Sequence, residues 1–296
     1  MRRCAFLTTD NLDWYTVDDH LAVPAVQAAG WAVNDVSWRA PNVDWAQFDV
    51  VIIRSPWDYQ DDPAGFLHCL AQINAATRLA NPLSVVRWNL RKTYLLALQQ
   101  RGVAVVPTQV GQQPTSENLA RHFDAFHTTE LIIKPVIGAS AHDTFRLKRE
   151  EVVGAGAGAL TGRIAVALAG RDYLAQSFLP AILTEGEYSL FYFNGEYSHT
   201  IQKVPRPGDF RVQEEHGGMV TAVDPDETLL TVAGRALAAI TPSLLYARVD
   251  LVRLPDGSLA VMELELIEPA LYFRMDPDSP GRFARALNDW VDFGQD

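Results

Sequence analysis

Residues 246–269, YARVDLVRLPDGSLAVMELELIEP, bring the carboxylates of Asp250, Glu263 and Glu265 and the guanidinium of Arg248 onto one face of a predicted hairpin. Apolar runs over residues 244–254 and 259–267 flank Pro255-Asp256-Gly257-Ser258, whose residue types favour a turn. Pairing Leu254 with Leu259 sets Asp250 opposite Glu263 and Arg248 opposite Glu265. Side chains alternate along a strand, so Glu265 joins that face while Val249, Leu251, Met262, Leu264 and Leu266 point away. Like charges opposed across a ladder destabilise it. A hard divalent ion such as Mg²⁺ would compensate, since it takes one or two carboxylates and keeps positions for water and phosphate oxygens. The plainer alternative is a cross-strand ion pair through Arg248, but one guanidinium cannot balance three carboxylates. On the cation reading, Glu263→Gln and Asp250→Asn should keep or gain stability without metal.

Cations recur elsewhere. Lys134 ends an apolar strand at 131–136 (LIIKPV), just before Gly138, Ala139 and Ser140. Such a lysine either reaches the surface along its stem or meets an anion, and small residues let backbone amides approach phosphate oxygens. Lys203, Arg206 and Arg211 lie in KVPRPGDFRVQEEHGG, ordinarily a solvated loop. A carboxylate face, scattered cations and a glycine loop together suggest phosphoryl transfer. The segment 54–59, RSPWDY, follows the apolar strand 49–53 and so belongs at a sheet's carboxyl rim, where ligands of parallel sheets sit. Arg54 and Asp58 there could grip the two ends of an amino acid, although composition alone favours a polar loop with an N-cap Asp.

The elements that must carry these groups begin with alternating strand and helix signals at 4–9, 18–29, 31–38, 49–53 and 63–76, implying a parallel sheet with right-handed crossovers. A helix is predicted over 84–100, and strands over 131–136 and 144–147. Residues 188–193 and 196–201 flank Asn194-Gly195, a strong hairpin signal. Helices follow at 225–240 and 280–293. The glycine-rich tract 154–162 matches neither dinucleotide nor Walker fingerprints and reads as flexible connection in a lid, together with 138–140.

A 296-residue chain can bury a large core, divided here as 1–106, 107–178 and 179–296. A net charge of −11 argues against a nucleic-acid partner, though not against a nucleotide. Two cysteines, Cys4 and Cys69, supply no disulfide framework. No signal peptide or membrane span is evident, so a cytoplasmic protein is expected.

The order of these motifs resembles the ATP-grasp superfamily, and within it the bacterial glutathione synthetase group. The resemblance runs through Arg54–Tyr59, Asn81-Pro82 with residues 87–92, Ile133-Lys134-Pro135 with the Gly138 loop, and 175–180 (AQSFLP). It continues through 206–211, Gly217-Gly218 and the carboxylate hairpin. It implies an α/β and α+β architecture: an N-terminal parallel domain, a central lid subdomain and a C-terminal domain clamping ATP. Lys92, Lys134, Gly138 and Ser140 would meet the phosphates, Gln176, Phe178 and Leu179 the adenine, and Glu185 or Glu187 the ribose. Asp250, Glu263 and Glu265 would hold Mg²⁺, although the family usually has Asn at the position of Glu265. The family also has an acidic residue where Arg91 stands. Arg211, Arg206 and Lys203 would stabilise an acyl phosphate and its tetrahedral successor.

The implied activity is ATP-dependent activation of a small amino-acid carboxylate, followed by attack of a nitrogen. RSPWDY and residues 268–274 (EPALYFR) look similar to the cycloserine synthetases of actinomycetes, enzymes of antibiotic biosynthesis that close O-ureido-D-serine to D-cycloserine. Arg54, Ser55, Trp57, Asp58, Tyr59 and Glu268 are then the substrate contacts. An intermolecular amino-acid or peptide ligase, a nucleotide-binding protein without turnover and a small-molecule kinase are the competing readings. The expected partners are a small-molecule substrate and further copies of the chain, with neither nucleic acid nor membrane.

Overall fold

The computed structural model describes residues 1–153 and 157–293. The N-terminal strands β1 (Arg2–Thr8), β2 (Trp31–Ser37), β3 (Val50–Ser55) and β4 (Arg78–Ala80) form a parallel sheet in the order β2-β1-β3-β4. Their apolar runs are covered on both faces, as parallel sheets require. Cys4, Phe6, Val50 and Ile52 pack toward helix α1 (Asp19–Ala28). The alternate residues Ala5, Leu7, Val51 and Ile53 pack toward α2 (Pro63–Ala76).

Beyond β4 the sequence predicts one helix, but the structure makes two, α3 (Leu83–Asn89) and α4 (Tyr94–Gln100). The break ties the chain to the second module: within it the backbone N–H of Lys92 donates to Val136 O at 2.8 Å. A continuous helix would have turned Lys92 through the helical repeat instead.

A second, antiparallel sheet follows, with order β5-β8-β6-β7, from β5 (Thr108–Gly111), β6 (Glu130–Pro135), β7 (Phe145–Lys148) and β8 (Tyr173–Ser177). Helices α5 (Ser116–Phe126), α6 (Arg149–Val153) and α7 (Ala157–Ala167) cover it through Leu119, Phe123, Val152 and Ile164. Of the glycine-rich tract, 154–156 lies outside the described residues, and 157–162 is helix rather than flexible connection. Leu160 and Ile164, one turn apart, give that helix a side to bury.

The third sheet is antiparallel, in the order β11-β10-β9-β12-β13. It comprises β9 (Glu187–Phe193), β10 (Glu196–Val204), β11 (Met219–Ala222), β12 (Tyr246–Arg253) and β13 (Leu259–Glu265), with α8 (Ala181–Thr184) before it and α9 (Glu227–Ala238) inserted. Asn194 and Gly195 both have positive φ, 49° and 81°, as the tight β9–β10 turn demands. The last helix, α10 (Ser279–Phe293), returns to roof the N-terminal sheet: Phe283 and Leu287 join the core of Phe6 and Val26. No helix among the described residues is long and apolar enough to cross a membrane.

Candidate active site

The β12–β13 hairpin sets Asp250 opposite Glu263 and Arg248 opposite Glu265, as its sequence predicts. The turn pairing differs. Arg253, not Leu254, faces Leu259, and a bulge at Met262 restores the register before the carboxylates. A bulge places two residues against one, so the alternation expected for Met262 is also corrected. Val261 takes the apolar side with Leu264 and Leu266, and Met262 faces the cavity instead.

The hairpin needs an anchored outer edge, because β13 ends the sheet and its peptide groups would otherwise go unpaired. Asn89 donates to Leu264 O at 2.8 Å and accepts from Leu266 N at 3.0 Å. Tyr94 OH accepts from Leu264 N, and Asn81 Nδ2 donates to Leu266 O at 2.8 Å. Residues 104–106 bond to both peptide groups of Val261. The carboxylate strand is thereby fixed to the segment that presents Lys92.

Each carboxylate on this face of the hairpin has a cation. Glu263 accepts from Lys134 at 2.7 Å and Lys92 at 2.9 Å. Arg248 bridges Asp250, at 2.9 Å, and Glu265. Lys203 lies 2.5 Å from Glu187 and 3.7 Å from Asp250, whose other contact is Ser189 Oγ at 2.6 Å. Burial works against the Glu263 charge, but Lys134 and Lys92 outweigh it and hold the carboxyl well below the usual range. Burial likewise opposes the Lys203 ammonium, while Asp250 and Glu187 hold its pKa above the usual lysine range. The cross-strand repulsion inferred from sequence is therefore already compensated, because three lysines from other elements join Arg248. Neutralising Glu263 would leave two buried ammonium groups without their partner, so the expected gain in stability reverses.

A cavity of about 220 Å³ opens in front of this face and is lined by residues of the two antiparallel sheets and by loops beyond the N-terminal parallel sheet. It gathers Lys92, Lys134, Gly138, Ser140, Gln176, Phe178, Leu179, Glu187, Lys203, Arg211, Glu263, Glu265, Trp57, Tyr59 and Glu268. Gln176 Nε2 donates to Thr108 Oγ1 at 2.8 Å, and Arg146 covers one face of Phe178 at 3.7 Å. The 138–140 loop is tied across the cavity by His216, whose Nε2 is 3.1 Å from Ser140 O.

Six expected residues fall elsewhere. Arg54 is fully buried: its guanidinium donates to Asp19 at 2.9 Å and to Pro269 O at 3.0 Å, so it braces loops instead of gripping substrate. Ser55 bonds Thr8 Oγ1 at 3.0 Å, and Asp58 accepts from Trp38 Nε1 and Arg39 Nε, both at 2.7 Å. Glu185 is held by Arg253 at 2.8 Å outside the cavity, whereas Glu187 lines it. Arg206 is exposed, 3.7 Å from Asp209, whereas Arg211 pairs with the same carboxylate and lines the cavity. Asp250 is buried behind Arg248 rather than lining the cavity.

Sequence reasoning missed Tyr15, Thr16, Arg248 and Tyr272, which also line the cavity. Tyr15 and Thr16 lie in the loop after β1, and the carboxyl-rim rule applied to β3 finds that loop equally well.

Comparison with known proteins follows this geometry. A family model described as D-cycloserine synthetase DcsG, N-terminal domain, matches residues 4–81. The chain is 36% identical over 275 residues to the cycloserine biosynthesis protein DcsG of Streptomyces lavendulae, covering 89% of this chain and 90% of that protein. This chain belongs to the cycloserine-synthetase family of ATP-grasp ligases. A crystal structure of D-cycloserine synthetase DcsG superposes with a TM-score of 0.85 at 32% identity, over 98% of this chain and 99% of that one. The ATP-grasp ligase PsnB, solved with Mg and ADP, shares the fold at a TM-score of 0.66 and 17% identity, over 97% and 98% of the two chains. The ligase is accordingly an enzyme that forms C–N bonds at the expense of ATP.

Mg²⁺ belongs to the chemistry of this fold, and the donors fit it. Glu263 and Glu265 present carboxylate oxygens to the cavity, the hard ligands such an ion takes. Asp250 fits less well, since it is buried behind Arg248 and does not line the cavity, whereas Glu263 does, with a lysine on each of its oxygens. Among the described residues no group of three His, Cys, Asp or Glu side chains stands ready as a metal cluster, because the cations hold the acids apart in separate pairs.

Proposed function

We propose that the ligase activates the carboxylate of one amino acid and closes that molecule on itself, converting O-ureido-D-serine to D-cycloserine. The observation that carries this reading is the span of the family match. Residues 4–81 include Tyr15, Thr16, Trp57 and Tyr59, the N-terminal contribution to the cavity and the part furthest from the nucleotide machinery in sequence. Function resides in the site more than in the fold, so likeness in this wall weighs more than the shared ATP-grasp frame.

In this reading Lys92, Lys134 and the 138–140 loop take the phosphates of ATP, and Gln176, Phe178 and Leu179 the adenine. Glu187 takes the ribose. Glu263 and Glu265 would hold Mg²⁺, whose charge offsets that of the phosphates. Arg211, Lys203 and Arg248 supply fixed positive charge where the acyl phosphate and its tetrahedral successor develop negative charge. The oxygen-linked nitrogen then attacks the acyl carbon and phosphate leaves. Since the cycloserine ring keeps that nitrogen alone, the carbamoyl group departs with one water as carbon dioxide and ammonia. Because nucleophile and electrophile share one molecule, proximity supplies much of the rate.

The test is ADP and phosphate release with O-ureido-D-serine as sole organic substrate, with ammonia measured beside it. Equimolar ADP, phosphate and ammonia are expected. Release that begins only on adding a separate amine would replace the reading with an intermolecular ligase.

A further inference from the structure

Carboxylates lining the cavity differ in their partners. Glu263, Glu265 and Glu187 each have a Lys or Arg within ion-pair distance, and Glu214 has Arg274. Glu215 is exposed. Glu268 alone is set into the protein with no cation at that distance among the described residues; the phenol of Tyr59 hydrogen-bonds its side chain. Burial, then repulsion from Glu265, push its carboxyl up to about 7. Lys92 and Arg248 favour its charge from beyond ion-pair distance without offsetting burial, and a partly buried carboxylate lacking an adjacent counter-charge is costly to keep. Its position in a substrate cavity calls for a cationic group on the ligand.

The surroundings specify which cation. Trp57 Nε1 donates to the backbone carbonyl of Glu268 at 2.9 Å, fixing indole and carboxylate relative to each other. The Tyr15 ring meets Trp57 edge-on at 5.1 Å, and its hydroxyl donates to Trp57 O at 3.2 Å. Tyr272, held at φ 48°, lines the same cavity, a left-handed conformation that bulky residues rarely adopt away from constrained sites. Aromatic faces attract an organic cation through their quadrupoles, while a carboxylate accepts its N–H bonds.

We propose that Glu268, held beside Trp57 and Tyr59 in the cavity that Tyr15 and Tyr272 also line, binds the α-ammonium group of the amino-acid substrate. This rests on the reading that the ligase acts on a single amino acid. Glu268 takes the role that sequence alone offered to Asp58, whose carboxylate is engaged by Trp38 and Arg39. The substrate carboxylate is left to the cations Arg248, Arg211 and Lys203, which line the same cavity.

The experiment compares O-ureido-D-serine with its deamino analogue, 3-(ureidooxy)propanoate. Binding is measured by calorimetry with Mg²⁺ and a non-hydrolysable ATP analogue present, and ADP release is followed in parallel. Wild-type enzyme should bind the amino ligand about 100-fold more tightly, the scale of a desolvated charge pair. Glu268→Gln should erase most of that preference by weakening the amino ligand alone, with the KM for ATP unchanged. Tyr15→Leu should cut the preference several-fold and decides the matter if Glu268→Gln does not fold. Equal binding of both ligands by wild type, no binding of either, or equal weakening of both in the variants would overturn the proposal. Amino-selective binding without ADP release would sink the cyclisation reading and leave the ammonium site standing.

Discussion

Across the wall made by β12 and β13, each carboxylate finds its cation: Glu263 on Lys92 and Lys134, Asp250 and Glu265 on Arg248. The wall supplied by the loops after β1, β3 and β13 leaves Glu268 with the Tyr59 phenol as its partner, in a cavity that Tyr15, Trp57 and Tyr272 also line. The first arrangement neutralises itself before any ligand arrives. On the proposed reading, nucleotide binding there would be an exchange, with Lys92 and Lys134 released to phosphate and Glu263 freed to hold Mg²⁺. The second arrangement stays incomplete until a cationic ligand enters. A charged site can thus be prepared by internal pairing or by leaving one group unpaired, and the two choices respond oppositely to mutation and to pH.

The largest effect is expected at the paired wall. Lys134→Ala should lower ADP release by about 10³-fold, the scale of losing one preorganised charge contact in the transition state. It should also lower thermal stability, because the Lys134 ammonium is buried against Glu263. Wild-type turnover would remove Lys134 from the nucleotide site. Arg54→Ala, by contrast, should cost about 3–5 kcal/mol of stability by orphaning Asp19, with no selective rise in the KM for the amino acid. A folded variant with that selective KM effect would return Arg54 to the substrate. Glu263→Gln should destabilise the protein in EDTA by about 1–3 kcal/mol as well as abolish Mg²⁺-dependent activity. A higher Tm in EDTA would mean that the lysines do not offset the cross-strand repulsion.

The smallest effect separates the walls by pH. The Glu263 carboxyl is depressed, so its stabilisation is present above the unfolded carboxylate range and is lost as pH falls through the folded value. The Glu268 carboxyl is raised to about 7, so its contribution runs the other way: stability falls as pH rises from the unfolded range, about 4.3, toward 7. In ligand-free protein, Glu268→Gln should flatten the decline between pH 5 and 8 by on the order of 1–2 kcal/mol. An unchanged slope would show that Glu268 already has a cation.

The paired wall was the more legible of the two. Alternation and turn chemistry suffice to bring Asp250, Glu263 and Glu265 together, since those rules act within one hairpin. They could not show the Met262 bulge, nor that lysines from a helix break and another sheet would cap Glu263, because these depend on packing between elements distant in sequence. The 54–59 loop shows the same limit. Its position at a sheet rim was readable, but strand order could not tell which side chains face inward. Trp57 and Tyr59 line the cavity, while Arg54, Ser55 and Asp58 are drawn away by Asp19, Thr8, Trp38 and Arg39. The 84–100 helix failed for a related reason: its apolar spacing serves two cores, with Leu83 and Val86 on one and Leu95 and Leu98 on the other.

In the proposed reaction one carboxylate is activated and closed by a nitrogen of the same molecule. The direct measurement uses O-ureido-D-serine labelled with ¹⁸O in its carboxyl group, incubated with ATP and Mg²⁺ and no added amine. The products are then weighed by mass spectrometry. One ¹⁸O transferred to each phosphate, together with a cyclic product retaining the other, is the predicted result. Unlabelled phosphate, or labelled phosphate that forms only once a second amine is supplied, would contradict it.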